Sequence, residues 1–453
     1  MRALSNNWKR ADLSEVCTPD VKPSLSAGLF LSLLFLFSAG CAPYLVVSRG
    51  VINRDKYQEV KNGVEALRGL RFKEEVAVEI KNREEMRRYL EDDLELDYGG
   101  VRLANMAVAY GKLGLFPQGI DLKKSVLDFL GTQVAAFYDP RTKRMVFPED
   151  LGGGMLLGTV QFIARRDIVG EVTLAHELTH ALQDQHFSLE EKMAPSDNDD
   201  KSLAFYAVAE GDATLSGFGY LSGGLDKDSL ARIDEALHDG SRTARAAISG
   251  VPEAVVEELL FRYYGGVSFV GRSLALRGWT GVNALFSSPP LSTEQVLHPE
   301  KYFELPDPPT RIKLRDLSSL FQPGWKEIEN NVLGELMIGV LFKQWLTEEE
   351  AGAIAAGWDG DRFVAFRRDG EVAFVWASVW DSPGDAEEFV QGYRRLASKK
   401  YPGRQSPGPY TIERRDDRVL VLEGLESDRI KDRVEEIWQG MELKEEPFKS
   451  PFP

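Results

Sequence analysis

The residues best suited to chemistry stand together in Thr173-Leu174-Ala175-His176-Glu177-Leu178-Thr179-His180-Ala181-Leu182. On a helix, residues four apart lie one above the other, so His176 and His180 project from a single face. Two neutral imidazoles at that spacing can fill two corners of a tetrahedral zinc site. Glu177 lies about 100° round the helix from His176, close enough to touch a metal-bound water without ligating the metal. Zinc lowers the pKa of such a water toward ~7, and a neighbouring carboxylate can take its proton as the oxygen attacks a carbonyl carbon. That chemistry is peptide-bond hydrolysis. A five-letter pattern with two wildcards also recurs by chance on exposed helices. Here Val172, Ala175, Leu178, Thr179 and Leu182 leave the helix apolar apart from His176, Glu177 and His180, and two of the chain's five histidines fall in the pattern. Polar groups on so apolar a helix need partners.

A third ligand has two candidates. Glu210 interrupts the apolar run Leu203 to Leu215, and a carboxylate buried there needs a cation or strong donors. It follows His180 at a distance that lets a loop and a second helix return beside the first. His186 follows His180 by six residues, with Met193 beyond it. Ala181-Leu182-Gln183-Asp184-Gln185 is compatible with continued helix, which would turn His186 about 120° off the ligand face.

The stretch around His176 resembles the active-site helix of zincin metallopeptidases, including their preference for uncharged residues around H-E-x-x-H. The resemblance implies a zinc peptidase with His176 and His180 as ligands and Glu177 as general base. With Glu210 on a following helix the arrangement is similar to the gluzincin subgroup, which implies Glu210 as third ligand. Metzincins instead use a histidine at the His186 spacing, but they need glycine where this chain has Gln183. By the same resemblance Asp212 is a candidate acceptor for the remote nitrogen of a ligand histidine, although gluzincins commonly place that acid at the position of Thr214. Gluzincins also use a distal His or Tyr to stabilise the oxyanion, and His298 and Tyr302 are the candidates. His298 follows a short helix marked by Ser292 and Gln295 as a capping box and stands next to Pro299. A different class of function is a binding or assembly module that keeps the zincin fold without turnover; retention of Glu177 speaks against it.

The chain has 453 residues, 43% hydrophobic and 28% charged, which describes an ordinary globular protein. A net charge of −16 argues against nucleic acid or an anionic membrane surface as partner. The uncharged run Ala27 to Gly40 is too short for a comfortable span and suits the apolar region of a signal peptide, the alternative being a short hydrophobic anchor that is not cleaved. Ser38-Ala39-Gly40-Cys41 resembles the lipobox of bacterial lipoproteins, with Ser38 where leucine is usual. That implies a mature protein lipidated at Cys41 and tethered to a membrane outside the cytoplasm. The chain has two cysteines, Cys17 and Cys41, and processing removes the first, so the mature chain has no intramolecular disulfide.

The elements that must position these residues follow from pattern. Lys56 to Leu70 reads as helix and Glu75 to Ile80 as strand. Asn82 caps a helix with Glu84 and Glu85 in its first turn, and further helical patterns cover Val101 to Leu115 and Asp121 to Leu130. Gln133 to Tyr138 and Arg144 to Phe147 read as a hairpin turning at Asp139-Pro140, either purely structural or, by resemblance, the edge that takes an extended peptide. Gly152-Gly153-Gly154 reads as a joint, the active-site helix runs from about Arg166 toward His186, and Ser188 to Asp200 reads as a loop. Asp226 to Gly278 is mainly helical, with Pro252 opening one segment. After Arg311 come two strand–strand–helix units, with hairpins turning at Asp369-Gly370 and Asp416-Asp417. The fold class expected is α+β. Residues 1–41 form a lipoprotein-type signal peptide, 42–131 a helical cap region, 132–310 a mainly helical zincin-like domain with a small hairpin, and 311–453 an α+β accessory domain.

Overall fold

In the computed structural model the described residues are 45–48, 50–133, 136–149, 167–194, 196–248, 250–317, 321, 323–403, 410–425 and 430–452. The apolar run before Cys41, Cys41 itself and the Gly152–Gly154 joint lie outside them. Helix predominates and the sheets are small, an α+β mixture. Residues 44–453 form a single compact unit, and the boundaries expected at 131 and 310 both fall inside it.

In chain order the elements begin with strands β1 (Val47–Ser48) and β2 (Val51–Ile52), helix α1 (Arg54–Arg68), strand β3 (Ala77–Lys81), and helices α2 (Arg83–Leu113) and α3 (Leu122–Gln133). Strands β4 (Phe137–Asp139) and β5 (Arg144–Pro148) precede α4 (Ile168–Phe187), the short α5 (Leu189–Lys192), α6 (Asp199–Ser222), α7 (Lys227–Ala247) and α8 (Glu253–Ser287). Two short helices follow, α9 (Thr293–Leu297) and α10 (Glu300–Phe303), then β6 (Thr310–Leu314), β7 (Lys326–Asn331), α11 (Gly334–Lys343) and α12 (Glu348–Ala355). The chain ends with β8 (Trp358–Arg368), β9 (Glu371–Trp380), α13 (Pro383–Lys400), β10 (Tyr410–Arg415), β11 (Arg418–Glu423), α14 (Ile430–Gly440) and β12 (Met441–Glu445).

Local chemistry accounts for the boundaries nearest the site. The Asn82 side chain accepts from the Glu84 and Glu85 amides while Glu85 returns a bond to Asn82 N, a reciprocal capping box that starts α2. Helix α2 is longer than its two sequence patterns because Gly99, at φ 63°, lets one helix run into the next across a kink. The Asp167 carboxylate caps α4 by accepting from Gly170 N and also takes the Val46 amide, tying the start of the described chain to this helix. The stretch expected as a loop after Ser188 contains α5, and Ser188 itself sits in the left-handed region between the two helices. Ser292 caps α9 by accepting from Gln295 N, but the Gln295 carboxamide returns to Leu291 N instead of Ser292 N.

Helix α4 is buried on nearly all sides. Leu174, Ala175, Leu178, Ala181 and Leu182 pack with Val60 and Val64 of α1 and with Tyr138, Met145 and Phe147 of the hairpin. Each fully buried leucine there contributes about 1.5–3 kcal/mol. The hairpin itself is part of a three-stranded sheet of order β3-β5-β4, with β3 parallel to β5 and β4 antiparallel to it. From the 42–131 stretch α1 and β3 are therefore woven into the sheet and core beside α4, while α2 and α3 pack in a separate core.

Helices α6 and α8 touch backbone to backbone. A Cβ on Gly211 would lie 2.3 Å from the Gly266 carbonyl carbon, and one on Gly266 would lie 2.1 Å from the Ala207 oxygen. No larger residue fits either position. Gly211 permits this close approach. Further on, a five-stranded antiparallel sheet of order β10-β11-β9-β8-β7 is covered on one face by α13 and on the other by α14. Its two hairpins turn where expected, with Asp369 and Asp416 at positive φ, and meet through β11 and β9. Trp376 and Trp380 both lie in the core, against Phe389 of α13.

Candidate metal centre

Helix α4 presents His176 and His180 on one face, and α6 brings Glu210 against them. His176 Nε2 is 3.1 Å from Glu210 Oε2, His180 Nε2 is 3.1 Å from His176 Nε2, and His180 Nε2 is 3.6 Å from Glu210 Oε2. A tetrahedral zinc with bonds of ~2.0–2.1 Å needs its ligand atoms about 3.3 Å apart. The three donors therefore fit such an ion in type, number and spacing. They also form one of two groups of side chains among the described residues that could hold a metal ion. The other, Glu294, Asp307 and Asp381, closes on the Lys301 ammonium at 2.6, 2.9 and 2.8 Å, which supplies its positive charge.

The electrostatics of the first group point the same way. Burial works to raise the Glu210 carboxyl, but the imidazoles of His180 and His176 outweigh it and hold the group well below the usual carboxylate range. Burial disfavours charge on His180, yet Glu210, Glu177 and Gln183 raise its pKa to about 9. Each partner thus favours the charged form of the other, and the cluster as a whole attracts positive charge.

Glu177 is buried beside this group, and one of its oxygens accepts from Tyr138 N at 2.7 Å. Burial pushes its pKa up. Strand β4, the outer strand of its sheet, thus runs along α4, and the Tyr138 hydroxyl anchors it further by donating to Asp184 at 2.9 Å.

Asp212 does not meet either histidine. Gln183 stands between: its Oε1 is 2.9 Å from His180 Nδ1, and its Nε2 donates to the Ala209 carbonyl and to Asp212, each at 3.0 Å. Asp212 is paired with Arg68 of α1, Nε to Oδ1 at 3.0 Å, both side chains being buried. His186 is also accounted for: α4 continues through it to Phe187, and its Nε2 lies 2.8 Å from the Arg71 carbonyl oxygen, turned away from the triad.

His298 and Tyr302 are not brought to the triad. His298 bonds Glu335 at 2.9 Å, and Tyr302 is fully buried in an aromatic cluster with its hydroxyl donating to the Ser288 carbonyl. A proline-fixed turn placed His298 beyond a helix, but nothing in the turn dictated which surface that helix would meet. The residue that reaches the site is Tyr263 of α8. Its ring stacks on His176 with centroids 6.3 Å apart, and the Glu210 carboxylate, followed by burial, pushes its phenol well above the usual range. Its sequence signal is Tyr263-Tyr264-Gly265-Gly266. Gly266 docks on Gly211, the neighbour of Glu210, and so carries Tyr263, one turn earlier on α8, to the cluster of His176, His180 and Glu210.

A family model described as a domain of unknown function, DUF8575, matches residues 320–434. The match lies over the C-terminal sheet and its helices, contains none of the triad, and spans well under half the chain. No curated protein and no solved structure matches.

Proposed function

We propose that the protein is a zinc-dependent peptidase of the gluzincin type, with His176, His180 and Glu210 as ligands and Glu177 as general base. The observation that carries this reading is the convergence of three donors at 3.1–3.6 Å beside a fourth, buried side chain, Glu177, that stands outside the set. Zinc, when bound, supplies Lewis acidity and brings the ionisation of water near neutrality. Glu177 is a stronger base than a solvated carboxylate because burial favours its protonated form. The Tyr138 amide fixes one of its oxygens, so the carboxylate can take a proton from the attacking water and hand it to the departing amine. Tyr263, whose phenol stays protonated, donates to the carbonyl oxygen as negative charge develops there. An extended peptide pairing with the outer edge of β4 would lie along the same face.

The decisive experiment measures zinc content and peptidase activity for the wild type and Glu177→Gln. Metal in both, with turnover lowered by about 10²–10⁴-fold in the variant, is the expected result. Zinc lost from Glu177→Gln would move that residue into the ligand set, and metal without turnover in the wild type would favour a binding module. The Cys41 pattern adds a location: a lipid-tethered enzyme outside the cytoplasm. Among the described residues no helix is long and apolar enough to cross a membrane. Mass spectrometry of the mature N-terminus tests the tether, and an unmodified peptide spanning Gly40-Cys41-Ala42 would refute it.

A further inference from the structure

We infer that Gln183, Asp212 and Arg68 form a chain of positioning residues that sets the tautomer and the orientation of His180, so that helix α1 is an integral part of the metal centre. This rests on the zinc reading above and concerns residues that never touch the metal.

The chain begins at His180. Its Nε2 faces the triad and its Nδ1 faces Gln183 Oε1. Which proton lies where follows from the other end of the carboxamide. Gln183 Nε2 meets the Ala209 carbonyl oxygen and an Asp212 oxygen, and both of these are acceptors only. A flipped amide would set an oxygen against two oxygens, so the orientation is forced. Oε1 therefore faces His180, and Nδ1 must be the protonated nitrogen. The Nε2 lone pair is left for a cation, the tautomer that a metal ligand needs.

Gln183 also spans the two metal-bearing helices. It is three residues beyond His180 on α4 and lies on the same side. On α6 it grips the carbonyl of Ala209, the residue before Glu210. One carboxamide thus fixes both the rotation of His180 and the distance from its helix to the glutamate.

Arg68 holds the far end. Asp212 is wholly buried, and a carboxylate there without a cation carries a heavy desolvation cost. Arg68 meets both of its oxygens at 3.0 Å, donates to Asn283 at 2.8 Å, and lies 4.4 Å from the Trp279 ring centroid. It is the last residue of α1, from the region that sequence pattern alone marked as a cap. A removable cover would not supply the buried counter-charge of the site it covers. Loss of α1 therefore dismantles the centre and does not uncover it.

The test uses the full-length protein loaded with zinc or with cobalt(II). Zinc affinity is read by chelator competition and the ligand field by the visible spectrum of the cobalt form. Gln183→Leu should keep the wild-type circular dichroism, bind zinc about 10–100-fold more weakly, and shift the cobalt bands. Arg68→Met alone leaves Asp212 unpaired, so the double variant Arg68→Met/Asp212→Asn serves as the variant that folds without a buried lone charge. It should show a smaller loss of affinity and a cobalt shift in the same direction. Wild-type affinity and spectrum in both Gln183→Leu and the double variant would overturn the proposal while leaving the zinc reading intact. A wild type that binds neither metal would overturn the zinc reading, and this inference with it.

Discussion

Two regions of the molecule enclose carboxylates, one fully and one in part, and they treat them differently. In the C-terminal sheet, Asp361 accepts from Leu333 N, Gly334 N, Trp358 Nε1 and Trp376 Nε1, at 2.9–3.1 Å. Glu423 is surrounded by the Lys400 ammonium and the hydroxyls of Tyr393 and Tyr401. Every lone pair there has a donor supplied by the fold, and both groups serve as structural bolts. Between α4 and α6, Glu210 faces the Nε2 atoms of two imidazoles, and with Nδ1 of His180 held by Gln183 that ring's Nε2 carries a proton only when the ring is charged. The donor there is a titratable proton, which a metal ion can replace. A buried carboxylate saturated by fixed N–H groups holds a fold together, whereas one that shares its space with other electron pairs invites a cation.

The sharpest way to break that contrast is to remove the carboxylate that faces the histidines. Glu210→Ala should lose zinc and with it all measurable turnover, while His186→Ala, whose side chain meets the Arg71 carbonyl, keeps both. Metal analysis after dialysis checks this, and zinc lost only with His186 would place the third ligand on α4. A step smaller is Tyr263→Phe. It should retain zinc and lower kcat by about 10²-fold, the cost of one donor to a developing oxyanion. An unchanged kcat would leave Tyr263 as packing for His176. The smallest effect on chemistry belongs to the bolt. Asp361→Ala strands four N–H donors and should cost about 3 kcal/mol in denaturant unfolding, with zinc affinity per folded molecule unchanged. Zinc affinity falling in step with stability would mean that the two regions are energetically one.

The proposed lipid tether stands apart from this comparison. Cys41→Ser should release the protein from the membrane fraction without altering turnover, and fractionation followed by assay of both pools reads it. Activity lost on release would tie catalysis to the membrane.

What the sequence determined by itself is whatever chemistry is repeated within a few residues. The four-residue step from His176 to His180, the Asn82 helix cap and the Asp369-Gly370 turn depend only on local backbone geometry, and each is present as read. Glu210 was legible for a related reason: a charge inside an apolar helical run implies a buried partner wherever the helix docks. The tertiary structure decided which surfaces meet. Nothing local tells that Gly211 and Gly266 let α6 and α8 touch, and that contact is what delivers Tyr263 in place of His298 or Tyr302. Nor could pattern show that β3 would pair parallel with β5, or that Arg68 would cross from α1 to neutralise Asp212. Contacts of that kind join residues far apart in the chain, and they are set by the fit of whole helix faces, which no short window of sequence contains.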